Sequence, residues 1–463
     1  VRDAGSRTVH RADVGYAEAR RALSVSAHQP PHAPAAVARV ADEQDVVDLV
    51  RAARRTGLRL AVRSGGHSLS ATHLRPGSLA LDLRALRGVH VDPHRGTARL
   101  GPGTTVEQAA ALLDGSGWSF PVGHVPTVGL GGYLLAGGHG WNAGAWGAAC
   151  ERVVALDVVT ADGRRLRLTR EADAELLAVA RGAGPTFPGV VVGLEVRLVP
   201  GVPTVVRRLL TVGGEDAAEV GAALDTLRTE RLPGLEVTVF ARRTGPCGGG
   251  PRAASLTVAG TAFGADAEHA RRLLAALDVL PGAQGAAATV HGGLAGLVAA
   301  LPRHDGEALW SDHAWSDRPW AALLPDVLAA VAAAPTTRSS VLVTPAPPRE
   351  ATVDAVHRPG GATSVSAYAH WDPVASGRPD AATAHAAWAR AAVVREPLSP
   401  ARYVGEADLT LPGRVQECFT PEDLARVRAA REHLDPDRHL WSAVDPTDAP
   451  LDEERGTTHQ EEP

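Results

Sequence analysis

At 463 residues, with 52 acidic against 47 basic side chains and a net charge of −5, the chain has room for two or three domains and no global field favouring nucleic acid or an anionic membrane. It contains no lysine, which excludes Schiff-base catalysis, pyridoxal phosphate anchoring and the phosphate-loop lysine. Cys150, Cys247 and Cys418 are odd in number and far apart, fitting neither a disulfide framework nor a metal knuckle, so no metal is expected.

No long apolar run and no basic stretch leading into an apolar core is visible, so no membrane association and a cytoplasmic location are expected. The start at Val1 in a chain without Met points to a trimmed start or a literally translated alternative start codon. In chain order, "EQDVVDLVRAARRTG" (43–57) has helical spacing. The short runs "LRLAVRSGG", "SLALDL", "GVHVD" and "TARLGPG" follow, each bounded by Gly, Pro or Asp, and read as strands. "TTVEQAAALLDGSG" opens on a Thr cap and closes on Gly, predicting a helix, and "VVALDVVTADGRRLRL" turns at Asp162-Gly163 as a hairpin. From about residue 201, Ala-rich helices alternate with β-rich runs such as "LEVTVFARR", "ASLTVAGTAFG", "SSVLVTPAP" and "ATSVSAYAHW", which predicts a sheet covered by helices. The tail is polar and acidic and is expected to be disordered.

Two glycine-rich stretches stand out, "RSGGHS" (63–68) after a strand and "PVGHVPTVGLGGYLLAGGHG" (121–140) after a helix. Neither has the spacing of a Rossmann fingerprint or a phosphate loop. Two such loops predict a broad, flat or phosphorylated ligand approached by backbone N–H groups, and a dinucleotide held outside a Rossmann fold fits this best.

"VRSGGHS", "GHVPTVGLGG", "AGGHGW", "LDVVTADG", "ARGAGPTFPGVVV", "YVGEADL" and "LDPDRHLW" occur in the order of, and together resemble, the berberine bridge enzyme-like branch of the vanillyl-alcohol-oxidase type flavoproteins. The resemblance spans roughly residues 35–445. It implies an α+β fold with a two-part FAD-binding domain, residues 1–200 and 396–445, a substrate domain of antiparallel sheet and helices inserted at 201–395, and a tail at 446–463. It also implies FAD contacts from Arg63, Ser64, Gly65, Gly66, His67, Ser68, His124, Thr127, Val128, Gly129, Gly131, Gly132, Gly137, Gly138, Gly140, Trp141, Gly189 and Val191.

His67 matches the histidine that the family bonds to the flavin 8α-methyl. Many members form a second bond from a cysteine where this chain has Val125, so a single covalent link through His67 is expected. Val128 matches the position governing oxygen access, where a small residue accompanies oxidases. Tyr403 matches a Tyr base that removes the substrate hydroxyl proton, and His139 falls where plant members carry a Tyr that assists it. Two departures are visible: Gly405 stands where Asn is frequent, and Ala178 where Trp is. Tyr368 is a candidate second pocket tyrosine, whereas Trp310, Trp315, Trp320 and Trp371 read as core or as stacking walls. The remaining histidines, including His73, His90, His94 and His370, read as structural.

The expected activity is FAD-dependent oxidation of a small organic molecule, a sugar or a secondary-metabolite alcohol, with O2 as final acceptor and no nucleic-acid or membrane partner. The alternatives are a flavin-dependent cyclase, a dehydrogenase with another acceptor, and a degenerate, non-catalytic flavin-binding protein.

Overall fold

The computed structural model describes residues 8–230, 232–245, 254–303, 306–373, 381–393 and 402–444. Cys247, the first residues of the expected C-terminal segment and the acidic tail lie outside the described residues. The local patterns act as they read. The helix Glu43–Thr56 is capped by the Asp42 carboxylate, which accepts from the Asp45 amide, and stops at Gly57 in the left-handed conformation. The helix Val106–Leu113 opens on a reciprocal capping box between Thr105 and Gln108. The Asp162-Gly163 hairpin joins antiparallel strands Val153–Val159 and Arg165–Thr169.

The fold is α+β, as expected. A four-stranded sheet takes the order Thr8–His10, Ala36–Arg39, Leu79–Asp82, Leu60–Arg63, the last three strands being parallel. A five-stranded antiparallel sheet takes the order Val89–Asp92, Thr97–Leu100, Val190–Arg197, Val153–Val159, Arg165–Thr169. One difference from the sequence reading lies in the second glycine stretch, where Leu130–Ala136 form a helix rather than a loop. Leu130 and Leu134, one turn apart, are both buried in the core, and that burial outweighs the helix cost of Gly131 and Gly132.

A second antiparallel sheet of eight strands runs Gln284–Gly285, Thr204–Gly213, Ala254–Gly264, Leu235–Arg243, Ser340–Pro345, Thr363–Trp371, Ala308–Ser316, with Thr289–His291 also paired to Thr204–Gly213. Residues such as Val239, Val341, Val343, Val365 and Ala367 point to one face and share a core with Leu224, Trp320, Leu324 and Ala389 of the covering helices. The alternate positions, among them Thr238, Phe240, Ser366 and Tyr368, point to the opposite face. Trp320 and Trp371 are core side chains of this half and Trp315 is a core side chain of the other.

The chain then returns to the first half. The Leu60 amide donates to His439, and the Trp441 amide donates back to Leu60, so the C-terminal segment adds beside the Leu60–Arg63 strand. Among the described residues, no helix is long and apolar enough to cross a membrane.

Candidate active site

Paired strand ends aim the first glycine loop. Arg63 and Asp82 are register partners at the C-terminal ends of parallel strands, and their side chains form a buried ion pair at 2.9 Å. The remaining Arg63 nitrogens donate to the carbonyls of Leu23 and Gly65. Arg63 therefore shapes the loop, its guanidinium committed to protein partners. Ser64 is likewise committed, donating to the Pro102 carbonyl at 2.6 Å.

The two glycine stretches press together. A Cβ on Gly65 would stand 2.3 Å from the Gly129 amide nitrogen, and one on Gly66, at φ 76°, would stand 2.3 Å from the Leu23 carbonyl oxygen. This contact brings His67 within 3.0 Å of the Thr127 hydroxyl, both half-buried. Ser68 caps the following turn through Thr72, and Val128 sits beside Thr127, half-buried.

The other glycines of the second stretch also answer to protein neighbours. Side chains at Gly131, Gly138 and Gly140 would meet Pro102, Ala149 with Tyr133, and the Pro121 carbonyl respectively. At Gly137 a Cβ would lie 2.8 Å from His357 Nδ1. Only Gly132 of this group opens onto free space. The bareness of residues 129–140 is thus largely required by chain packing on chain.

The structure brings His139 and Tyr403 together. Their rings stack at 4.1 Å and 11°, and the Tyr403 oxygen accepts the Gly138 amide at 3.0 Å and the His139 amide as well. Tyr403 is buried, and desolvation, helped by the nearby Glu406 charge, raises its pKa despite those amides. His139 Nε2 lies 3.1 Å from His357 Nε2. Burial, reinforced by neighbouring histidines, holds His139 well below the usual imidazole range, and burial pushes His357 down to about 4.

Glu406, three residues beyond Tyr403, escaped the sequence reading. Its carboxylate accepts from the hydroxyls of Ser366 and Tyr368 on the open face of the second sheet. Burial raises its pKa, those two donors partly offsetting the effect, and among the described residues no arginine pairs with it. Its signal in "YVGEADL" is an acid between apolar neighbours. The segment is held by Asp312, which accepts from the Asp408 amide at 3.1 Å and pairs with Arg414 at 3.2 Å, and by His313 Nδ1, which accepts from the Tyr403 amide at 2.9 Å. Tyr368 is half-buried and its hydroxyl meets Glu406, so it belongs to the site.

The other residues expected at the cofactor also have protein neighbours. His124 is exposed and reaches Glu236 of the second sheet at 2.9 Å, and Trp141 is buried between His124, Phe263 and Arg207, so both join the halves of the molecule. A Cβ on Gly189 would collide with Val158, and Val191 is a core residue paired with Val158. His370 pairs with Glu307 at 2.9 Å, and His73 is fully buried.

The geometry defines a class: a two-lobed protein with glycine loops on one lobe facing a polar sheet wall on the other. A bound FAD is compatible with these residues. Among the described residues, the amides of Gly65, Gly66 and Ser68 meet no protein acceptor, which leaves donors for a phosphate-bearing group, and the half-buried His67 imidazole stands beside them. Residues 34–169 match the family described as FAD binding domain. Among curated proteins, the FAD-linked oxidoreductase nodO of Hypoxylon pulicicidum is 32% identical over 261 residues, 56% of each chain. The (R)-6-hydroxynicotine oxidase of Paenarthrobacter nicotinovorans is 36% identical over 169 residues, 36% of each chain. The chain thus spans about half, or less, of the length of the curated relatives it matches. In fold it resembles 6-hydroxy-D-nicotine oxidase from Arthrobacter nicotinovorans, with a TM-score of 0.80 over 95% of this chain and 97% of that one at 23% identity. Residues 34–169 thus match an FAD binding domain, and the described chain shares the fold of that oxidase.

Proposed function

We propose that the protein is an FAD-dependent oxidase of a small organic substrate, its flavin held by one covalent bond through His67. Bound flavin supplies the chemistry, accepting hydride from substrate and passing electrons to O2. The observation that carries this reading is an acid, Glu406, set beside Tyr403 and held against the second sheet by Ser366 and Tyr368. The Glu406 carboxylate takes the substrate proton, and its raised pKa moves it toward the range suited to a base near neutral pH. Tyr403 and His139 complete the site, the tyrosine pinned by two amides and the imidazole lying on its ring.

A second reading keeps Tyr403 as base, favoured by those two amides, which stabilise a phenolate oxygen. Sugars, secondary alcohols and cyclic amines, screened with peroxide detection, supply the substrate for the test. Glu406→Gln is expected to slow anaerobic flavin reduction by roughly 10² to 10⁴, with Tyr403→Phe changing it far less. The reverse pattern moves the base to Tyr403. A flavin reduced by none of these compounds, or turnover without peroxide, overturns the oxidase reading.

A further inference from the structure

Two imidazoles meet at the site with no acid between them. His139 Nε2 and His357 Nε2 are 3.1 Å apart, the rings at 60°, and His139 is stacked on Tyr403. The groups acting on His139 are His357, His313 and His124, and on His357 Arg349; all disfavour a positive charge, so both rings are neutral. A hydrogen bond between two neutral imidazoles needs one Nε2–H and one bare Nε2. The pair therefore holds complementary tautomers, and the nitrogen left to His139 for other contacts is Nδ1.

The fold supports this pair at the expense of backbone freedom. His357 is buried in a slot whose walls are Gly137 and Gly182, at φ 136° and 130°. A Cβ on Gly137 would stand 2.8 Å from His357 Nδ1, and one on Gly182 would stand 2.3 Å from the His357 amide nitrogen. The His357 amide donates to the Arg181 carbonyl at 3.0 Å, and the adjacent Val356 amide donates to Ala178. Two positions open only to glycine and two backbone bonds thus place one imidazole against another.

We propose that His357 is a positioning residue: it fixes the ring orientation and tautomer of His139, so that His139 Nδ1 is presented to the substrate in a single hydrogen-bonding state. This rests on the oxidase reading for its relevance to turnover, while the pairing itself is testable without substrate.

The test uses FAD-loaded protein with 15N-labelled histidine. In the native protein the His139 signals are expected to show one neutral tautomer, unchanged from about pH 8 down to about pH 6. In His357→Leu the tautomer signals move toward an average of the two forms, and His139 begins to protonate at higher pH, because a hydrogen-bonding, charge-disfavouring neighbour is gone. His357→Gln, which retains a side-chain donor, restores much of the single-tautomer signal and serves if the leucine variant does not fold. The kcat falls by about tenfold in His357→Leu, the scale of one lost hydrogen bond, with KM less affected, and recovers in part in His357→Gln. His139 signals identical to native in both folded variants overturn the pairing. Altered signals with unchanged kcat overturn the link to chemistry and leave the oxidase reading standing, whereas absence of turnover in the native protein counts against that reading and not against the pair.

Discussion

At position 125 the chain carries a valine, whose side chain has no atom able to bond a flavin, while His67 stands half-buried beside the Thr127 hydroxyl. One link is therefore the expected number. Acid precipitation of native protein should leave flavin colour in the pellet, and His67→Ala should release all of it. Val125→Cys in the native background should add a bond that survives removal of His67. Colour retained in the pellet of the single His67→Ala variant would place the link at another residue. Tyr403 and Glu406 also differ in their surroundings. Three residues apart, one is wrapped by backbone amides in the core, and the other emerges among hydroxyls on the sheet wall.

Among the elements, the parallel strands Leu60–Arg63 and Leu79–Asp82 matter most, because their ends launch the loop that carries His67. Asp82 is buried, which by itself would raise its pKa, but hydrogen bonds from Arg84 and the charge of Arg63 outweigh this and lower it. A carboxylate depressed in the folded state contributes stability that is fully present above its unfolded pKa, about 3.9, and is lost as pH falls through the lower folded value. Asp82→Asn should cost about 3–5 kcal/mol at neutral pH by stranding Arg63, and should flatten the acid limb of the stability curve. Denaturant unfolding measured from pH 7 down to about pH 3 decides this; parallel curves for the two proteins would mean that Asp82 is not the coupled group.

For the whole molecule, the C-terminal segment is the clasp, running from the second sheet to the first. Its hold on Asp312 is buried, charged and shared with Arg414, His313 and the Asp408 amide. Asp312→Ala leaves Arg414 paired only with the exposed Glu417 and takes the acceptor from the Asp408 amide, a change expected to cost about 1–3 kcal/mol. Residues 402–414 should then be cut by trypsin faster than in the native protein, with activity lost in proportion to the displacement of Glu406. A native digestion pattern at native thermal stability would show that the segment is held by other contacts.

The amino-acid sequence by itself determined what local chemistry controls. Helical spacing marked residues 43–57, a Thr cap and a closing Gly the next helix, Asp162-Gly163 a hairpin, and helices alternating with β-rich runs from about residue 201 a second sheet. Burial period and backbone conformation are properties of neighbouring residues, so a linear reading finds them. His67, Tyr403 and His139 stood out as candidates because they sit in distinctive short strings. The tertiary structure alone decided who meets whom. His139 and His357 are 218 positions apart, and Gly137 is bare to admit His357, a relation that no spacing records. Glu406 looks like any acid in a loop until the sheet sets Ser366 and Tyr368 beside it. Such contacts arise from packing two lobes around a shared site, where a side chain's environment comes from distant segments rather than from its own neighbours in sequence.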